Sequence, residues 1–106
     1  MSTQDDVNNI VEDFATAKRT YSAAQDLALE RANRLLISMG YGPGTVLPSY
    51  QREYSSQVRA YRVFGARISH AVLGIGLGPL RKDGELAMNA GMQFERLEIF
   101  LRKVQP

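Results

Sequence analysis

No cysteine occurs in these 106 residues, which removes disulfide frameworks, thiolate zinc sites and cysteine nucleophiles together. Histidine occurs once, at His70 between Ser69 and Ala71, with no orienting carboxylate or nucleophile close in sequence. That placement reads as a packed or solvated side chain. Asp5-Asp6 and Glu12-Asp13 are simple adjacent pairs, so no metal-ligand spacing is present. The chain has no Walker lysine and no G-x-S-x-G. Gly74-x-Gly76-x-Gly78 lacks the downstream spacing of a dinucleotide fingerprint and has no βαβ unit around it. These absences argue against an enzyme, and imply neither a metal nor a cofactor.

The N-terminus is polar and acidic where a secretory leader would be basic. The longest apolar stretch, Ala71 to Leu80, is about half a membrane span and carries three glycines. The expectation is a protein without a transmembrane segment, cytoplasmic or held within an assembled particle.

What is present is ordinary in amount and uneven in distribution. Hydrophobic residues make up 44% and charged residues 23%, which suits one globular domain spanning residues 1–106. The net charge of +2 hides a division along the chain. Residues 1–30 set Asp5, Asp6, Glu12, Asp13, Asp26 and Glu30 against Lys18 and Arg19, for −4. Residues 31–82 set Arg31, Arg34, Arg52, Arg59, Arg62, Arg67, Arg81 and Lys82 against Glu53 alone, for +7. Residues 83–106 carry −1. The middle of the chain is basic and its beginning acidic.

Apolar spacing predicts one long helix from about Gln4 to Ser38. Thr3 is a candidate N-cap, and Asp5 and Asp6 lie where the helix dipole favours anions. At 100° per residue, Val7, Ile10, Val11, Phe14, Ala17, Tyr21, Ala24, Ala28, Ala32, Leu35, Leu36 and Met39 share one stripe. Its alanine-rich middle would let a neighbouring helix approach closely. Gly40 suits the C′ position, and Gly42-Pro43-Gly44 enforces the stop.

Ser49 can cap a second helix running to about Phe64. Tyr50, Tyr54, Val58, Tyr61 and Phe64 then fall on one side, with Arg52, Arg59, Arg62 and Arg67 on the other. Leu73, Ile75 and Leu77 alternate with three glycines, which fits either a short extended segment with one bare face or a flexible apolar connector. Asp83 can cap a third helix to Val104. Leu86, Ala90, Phe94, Leu97, Leu101 and Val104 form its main stripe, and Met88, Met92 and Ile99 a second one.

Two short stretches resemble the peptidoglycan-binding OmpA-like domain. They are Leu27-Ala28-Leu29-Glu30-Arg31-Ala32 and Gly91-Met92-Gln93-Phe94-Glu95-Arg96-Leu97-Glu98-Ile99. That family carries Leu-Ser-x-x-Arg-Ala on a helix and Asn-Arg-Arg-Val-Glu-Ile on its last strand. Here Ala28 replaces the serine, the asparagine is missing, and neither the opening strand nor the ligand-binding aspartate lies upstream.

The expected fold is therefore mainly α: a small bundle or extended helical hairpin of about three helices, joined by a glycine-rich apolar connector. The expected function is a structural or adaptor protein that packs into a larger homo-oligomeric assembly, such as a virion or a secretion machine. Its interface candidates are Met88, Met92 and Ile99 with Leu73, Ile75 and Leu77, since methionine repacks readily at contacts. The alternative is a nucleic-acid-binding regulator that uses Arg52, Arg59, Arg62 and Arg67 on phosphates. The same arginines could instead pair with the acidic first helix.

Overall fold

A computed structural model describes residues 3–87 and 89–105. Its elements run α1 (Thr3–Ser38), β1 (Val46–Gln51), β2 (Val58–Ser69), β3 (Val72–Pro79), β4 (Gln93–Arg96) and α2 (Leu97–Val104). The strands form an antiparallel meander in the order β1-β2-β3-β4. The expected mainly-α bundle is thus corrected to two helices and a four-stranded sheet.

α1 forms where the periodicity placed it. Gly40 takes a positive φ of 85°, and the Gly40 and Tyr41 amides donate to the Ile37 and Leu36 carbonyls at 3.0 and 2.8 Å. This pair of bonds closes the last turn and sends the chain back toward the sheet.

The expected second helix is instead β1, a turn and β2. Tyr50, Tyr54, Val58, Tyr61 and Phe64 match a helical period by coincidence, but the stretch is rich in aromatic and β-branched residues that suit a pleated surface. Each strand is interrupted once. Pairing shifts between Leu47 and Tyr50, at Pro48-Ser49, so both residues face the core. The proline sits on an edge strand, where its missing N–H costs least. Pairing shifts again between Val63 and Gly65, and there Asn33 Oδ1 of α1 accepts the Ala66 N–H at 2.7 Å. Each shift reverses the in-out alternation, which hides the period of two.

The expected third helix is corrected too. Gly91 has a φ of 67°, Gln93–Arg96 pairs with β3, and only Leu97–Val104 is helical. The expected Asp83 cap serves a turn, in which its carboxylate accepts the Glu85 N–H at 3.0 Å. The stretch that resembles the last OmpA-like strand divides accordingly, being strand to Arg96 and helix from Leu97.

The core lies between one face of the sheet, α2 and the C-terminal end of α1. Leu36, Leu47, Tyr50, Tyr61, Val63, Ile75, Leu77 and Phe100 form it. The Tyr41 and Phe100 rings meet edge to face at 5.5 Å, and Tyr50 lies 5.7 Å from Phe100. On β3 the apolar residues point into this core, while Gly74, Gly76 and Gly78 form the opposite face.

Candidate assembly interface

α1 is far longer than the body it attaches to. Its 36 residues span about 54 Å at 1.5 Å each, within a molecule of 66 × 31 × 22 Å. Only Ala32 and Leu36 are buried, with Ala28, Leu29 and Asn33 half-buried beside them. Farther back, Tyr21, Ala24 and Ala28 border a cleft whose other wall is Ile68, Ala71 and Leu73 at the tip of the β2–β3 hairpin. From Thr3 to Thr20 the helix runs past the sheet.

That projecting half is not polar. Ile10 is 68% exposed, Val11 61% and Phe14 71%, with Val7 and Tyr21 also open. Five turns of 3.6 residues separate Phe14 from Ala32, so these two side chains point the same way. One stripe therefore serves two purposes in succession, covered by the sheet at its C-terminal end and bare along its N-terminal half. The bare part from Val7 to Phe14 is an apolar surface two helical turns long.

The opposite face of the sheet is the second exposed surface. Arg62 lies across from Gly78 on β2, and Arg67 across from Gly74. Phe64 stands between them and is 43% exposed. Side chains of Phe94, Met92 and Phe64 lie over the three glycines, and a Cβ at Gly76 would come within 2.9 Å of the Met92 sulfur. Phe64, Gly78, Leu86, Ala87 and Met92 line a shallow cavity of about 180 Å³ there. Among the described residues, no ion pair joins Arg62 or Arg67 to a carboxylate.

The four arginines do not share a surface. Arg59 pairs with Tyr50 on the core-facing side, and its guanidinium donates to the Leu80 carbonyl at 3.4 Å. Arg52 donates to Tyr61 Oη at 3.3 Å and to the Phe94 carbonyl at 3.5 Å. Only Arg62 and Arg67 remain on the glycine face.

The expected interface stripe is dispersed as well. Ile75 and Leu77 are fully buried in the core, and Leu73 is half-buried. Met92 lies in the loop before β4 and Ile99 on α2, so the two share no helix face. Met88 lies outside the described residues.

A buried polar tie joins the far end of β1 to β4 and α2. Glu95 is 3% exposed, accepts the Tyr50 hydroxyl at 2.7 Å, and takes the Glu53 N–H on both oxygens at 3.1 Å. Lys103 Nζ lies 3.7 Å away, and Arg96 bridges Glu53 at 2.9 Å. Burial, followed by the bond to Glu95, pushes the Tyr50 hydroxyl well above the usual tyrosine range. A hydrogen bond from Tyr54, followed by one from Arg96, holds the Glu53 carboxyl below the ordinary carboxylate range. No buried side-chain polar atom among the described residues lacks a partner. A fully satisfied network of this kind holds the sheet's two edge strands over the core.

Among the described residues no group of three or more histidine or carboxylate side chains could hold a metal ion. None of their helices is long and apolar enough to cross a membrane. In comparisons with protein-family models, curated proteins and solved structures, none matches this chain.

Proposed function

We propose that this is a non-enzymatic structural protein that works by packing into a homo-oligomeric assembly through the projecting half of α1. The supporting observation is the bare stripe of Val7, Ile10, Val11, Phe14 and Tyr21, continuous with the face that the protein's own sheet covers. Most helical stability in proteins comes from packing of an apolar face, and the body leaves the face of residues 3–20 bare. A partner that covers the stripe supplies what the body does not reach.

The test is molar mass by light scattering, for the wild type and for Phe14→Glu, in low and high salt. The wild type should run as an oligomer at both salts, and Phe14→Glu as a monomer with its sheet intact. A wild-type monomer at all concentrations, or an oligomer indifferent to Phe14→Glu, contradicts the proposal.

A second reading has one observation in its favour. The β2 strand sets the exposed Phe64 between Arg62 and Arg67, an aromatic ring flanked by two cations on a sheet surface. Such a face suits single-stranded nucleic acid, with the ring stacking on a base and the cations on phosphates. Replacing Arg62 and Arg67 by Gln should then remove a strongly salt-dependent RNA or DNA affinity. Equal binding by the variant excludes this face.

A further inference from the structure

We infer that the occupant of the projecting stripe is the same half-helix of a second copy, running antiparallel, with Phe14 of each copy against Ala17 of the other. This rests on the assembly reading and specifies its partner and direction.

Three observations favour that arrangement. The first is where the body sits. The stripe and the docking residues Ala32 and Leu36 lie on one face of α1, so that face is already occupied from about Ala28 onward. A helix running parallel on it would collide with the β2–β3 hairpin. An antiparallel helix ends there, its first turn reaching the cleft of about 250 Å³ between Ala24 and Leu73.

The second is size. Val7, Phe14 and Tyr21 recur every seven residues, and Ile10, Ala17 and Ala24 fall between them as the second row of a heptad seam. Parallel in-register packing would put ring against ring at Phe14 and Tyr21, with hollow alanine layers between. In the antiparallel register Phe14 meets Ala17, Val7 meets Ala24, and Ile10 meets Tyr21. In the Phe14–Ala17 and Val7–Ala24 layers a larger side chain then fills the space that alanine leaves.

Charge is the third. Asp5, Asp6, Glu12 and Asp13 are in the first half of the projecting segment, and Lys18 and Arg19 follow. Parallel copies would bring the two acidic ends together. Antiparallel copies separate the two acidic first turns, set the acidic end of each helix over the segment of the other that carries Lys18 and Arg19, and oppose the helix dipoles.

The absence of native cysteine makes the test specific. The double variant Val7→Cys with Ala24→Cys is oxidised, digested and mapped by mass spectrometry, alongside light scattering. These positions are about 25 Å apart along one helix. A disulfide needs Cα atoms within about 7 Å, so a 7–24 link can form only between copies. The expected result is a dimer with 7–24 links predominating, and 10–21 links in the independent pair Ile10→Cys with Tyr21→Cys. A dimer linked 7–7 and 24–24, or one with no links in either pair, overturns the antiparallel register and leaves the assembly reading standing. A monomeric wild type overturns both.

Discussion

Two residues at the tip of the β2–β3 hairpin show how little a turn can advertise itself. Ser69 pairs with Val72, leaving His70 and Ala71 as a two-residue loop with φ of 50° and 62°. Two-residue hairpin turns with both central φ values positive favour Asn-Gly, because a Cβ there crowds the following carbonyl. Neither His70 nor Ala71 is such a signal, so the sequence offers no hairpin at this point. Ala71→Gly should relieve the strain and stabilise the fold by about 1 kcal/mol in chemical denaturation. A destabilising effect would mean that the Ala71 methyl packs in the neighbouring cleft to more effect than its backbone strain costs. Tyr50 supports a second prediction at this scale. Its hydroxyl titrates above the usual value in the folded protein and near 10 when unfolded. Stability from this group is therefore complete below about pH 10 and falls as pH rises beyond it. Tyr50→Phe should flatten that alkaline loss while lowering stability at neutral pH, because Glu95 loses a buried donor, at a cost of about 1–3 kcal/mol. An unchanged alkaline profile would place the titrating group elsewhere.

Among the elements, α1 is the one most legible from sequence. Its 3.6-residue stripe, acidic first turn and Gly40 stop each follow from helix physics and agree with one another. The sheet was harder to read for definite reasons. The interruptions at Pro48-Ser49 and Phe64-Gly65 each reverse the alternation, so β1 and β2 never present a clean period of two. Residues 50 to 64 then fit a helical spacing equally well. In β3 the apolar residues and glycines alternate without interruption, so a bare face was visible, but the same pattern fitted an extended segment and a flexible connector equally and did not settle on a strand. Its occupants were not visible, since they come from Phe64 on β2 and from Met92 and Phe94 around β4. The glycines matter for this close approach. A Cβ on Gly78 would overlap the Phe64 ring and crowd Leu86 at 2.9 Å. Gly78→Ala should destabilise by about 1–3 kcal/mol, and much of that loss should return in Gly78→Ala with Phe64→Ala, as a double-mutant cycle would measure. Additive losses would mean that the ring does not rest on the strand.

At the scale of the whole molecule, the protein is a small body carrying a helix about twice as long as its own sheet can cover. The lopsided charge becomes intelligible in that light. Among the described residues Arg62 and Arg67 have no ion-pair partner in the same chain, so the acidic helix is not neutralised by the glycine face. The candidate site was legible in part. The stripe on α1 was plain from sequence, but nothing in its spacing told where the body would stop covering it. That boundary depends on Asn33, Ala32 and Leu36 meeting the bulged strand, a contact made only by the folded sheet. The central claim is that a partner copy covers residues 3–20 of α1, and amide hydrogen exchange across protein concentration tests it most directly. At high concentration these amides should be protected. On dilution below the dissociation constant they should exchange rapidly, while residues 29–38, held by the sheet, keep their protection. Protection over residues 3–20 that stays the same at every concentration would contradict the account.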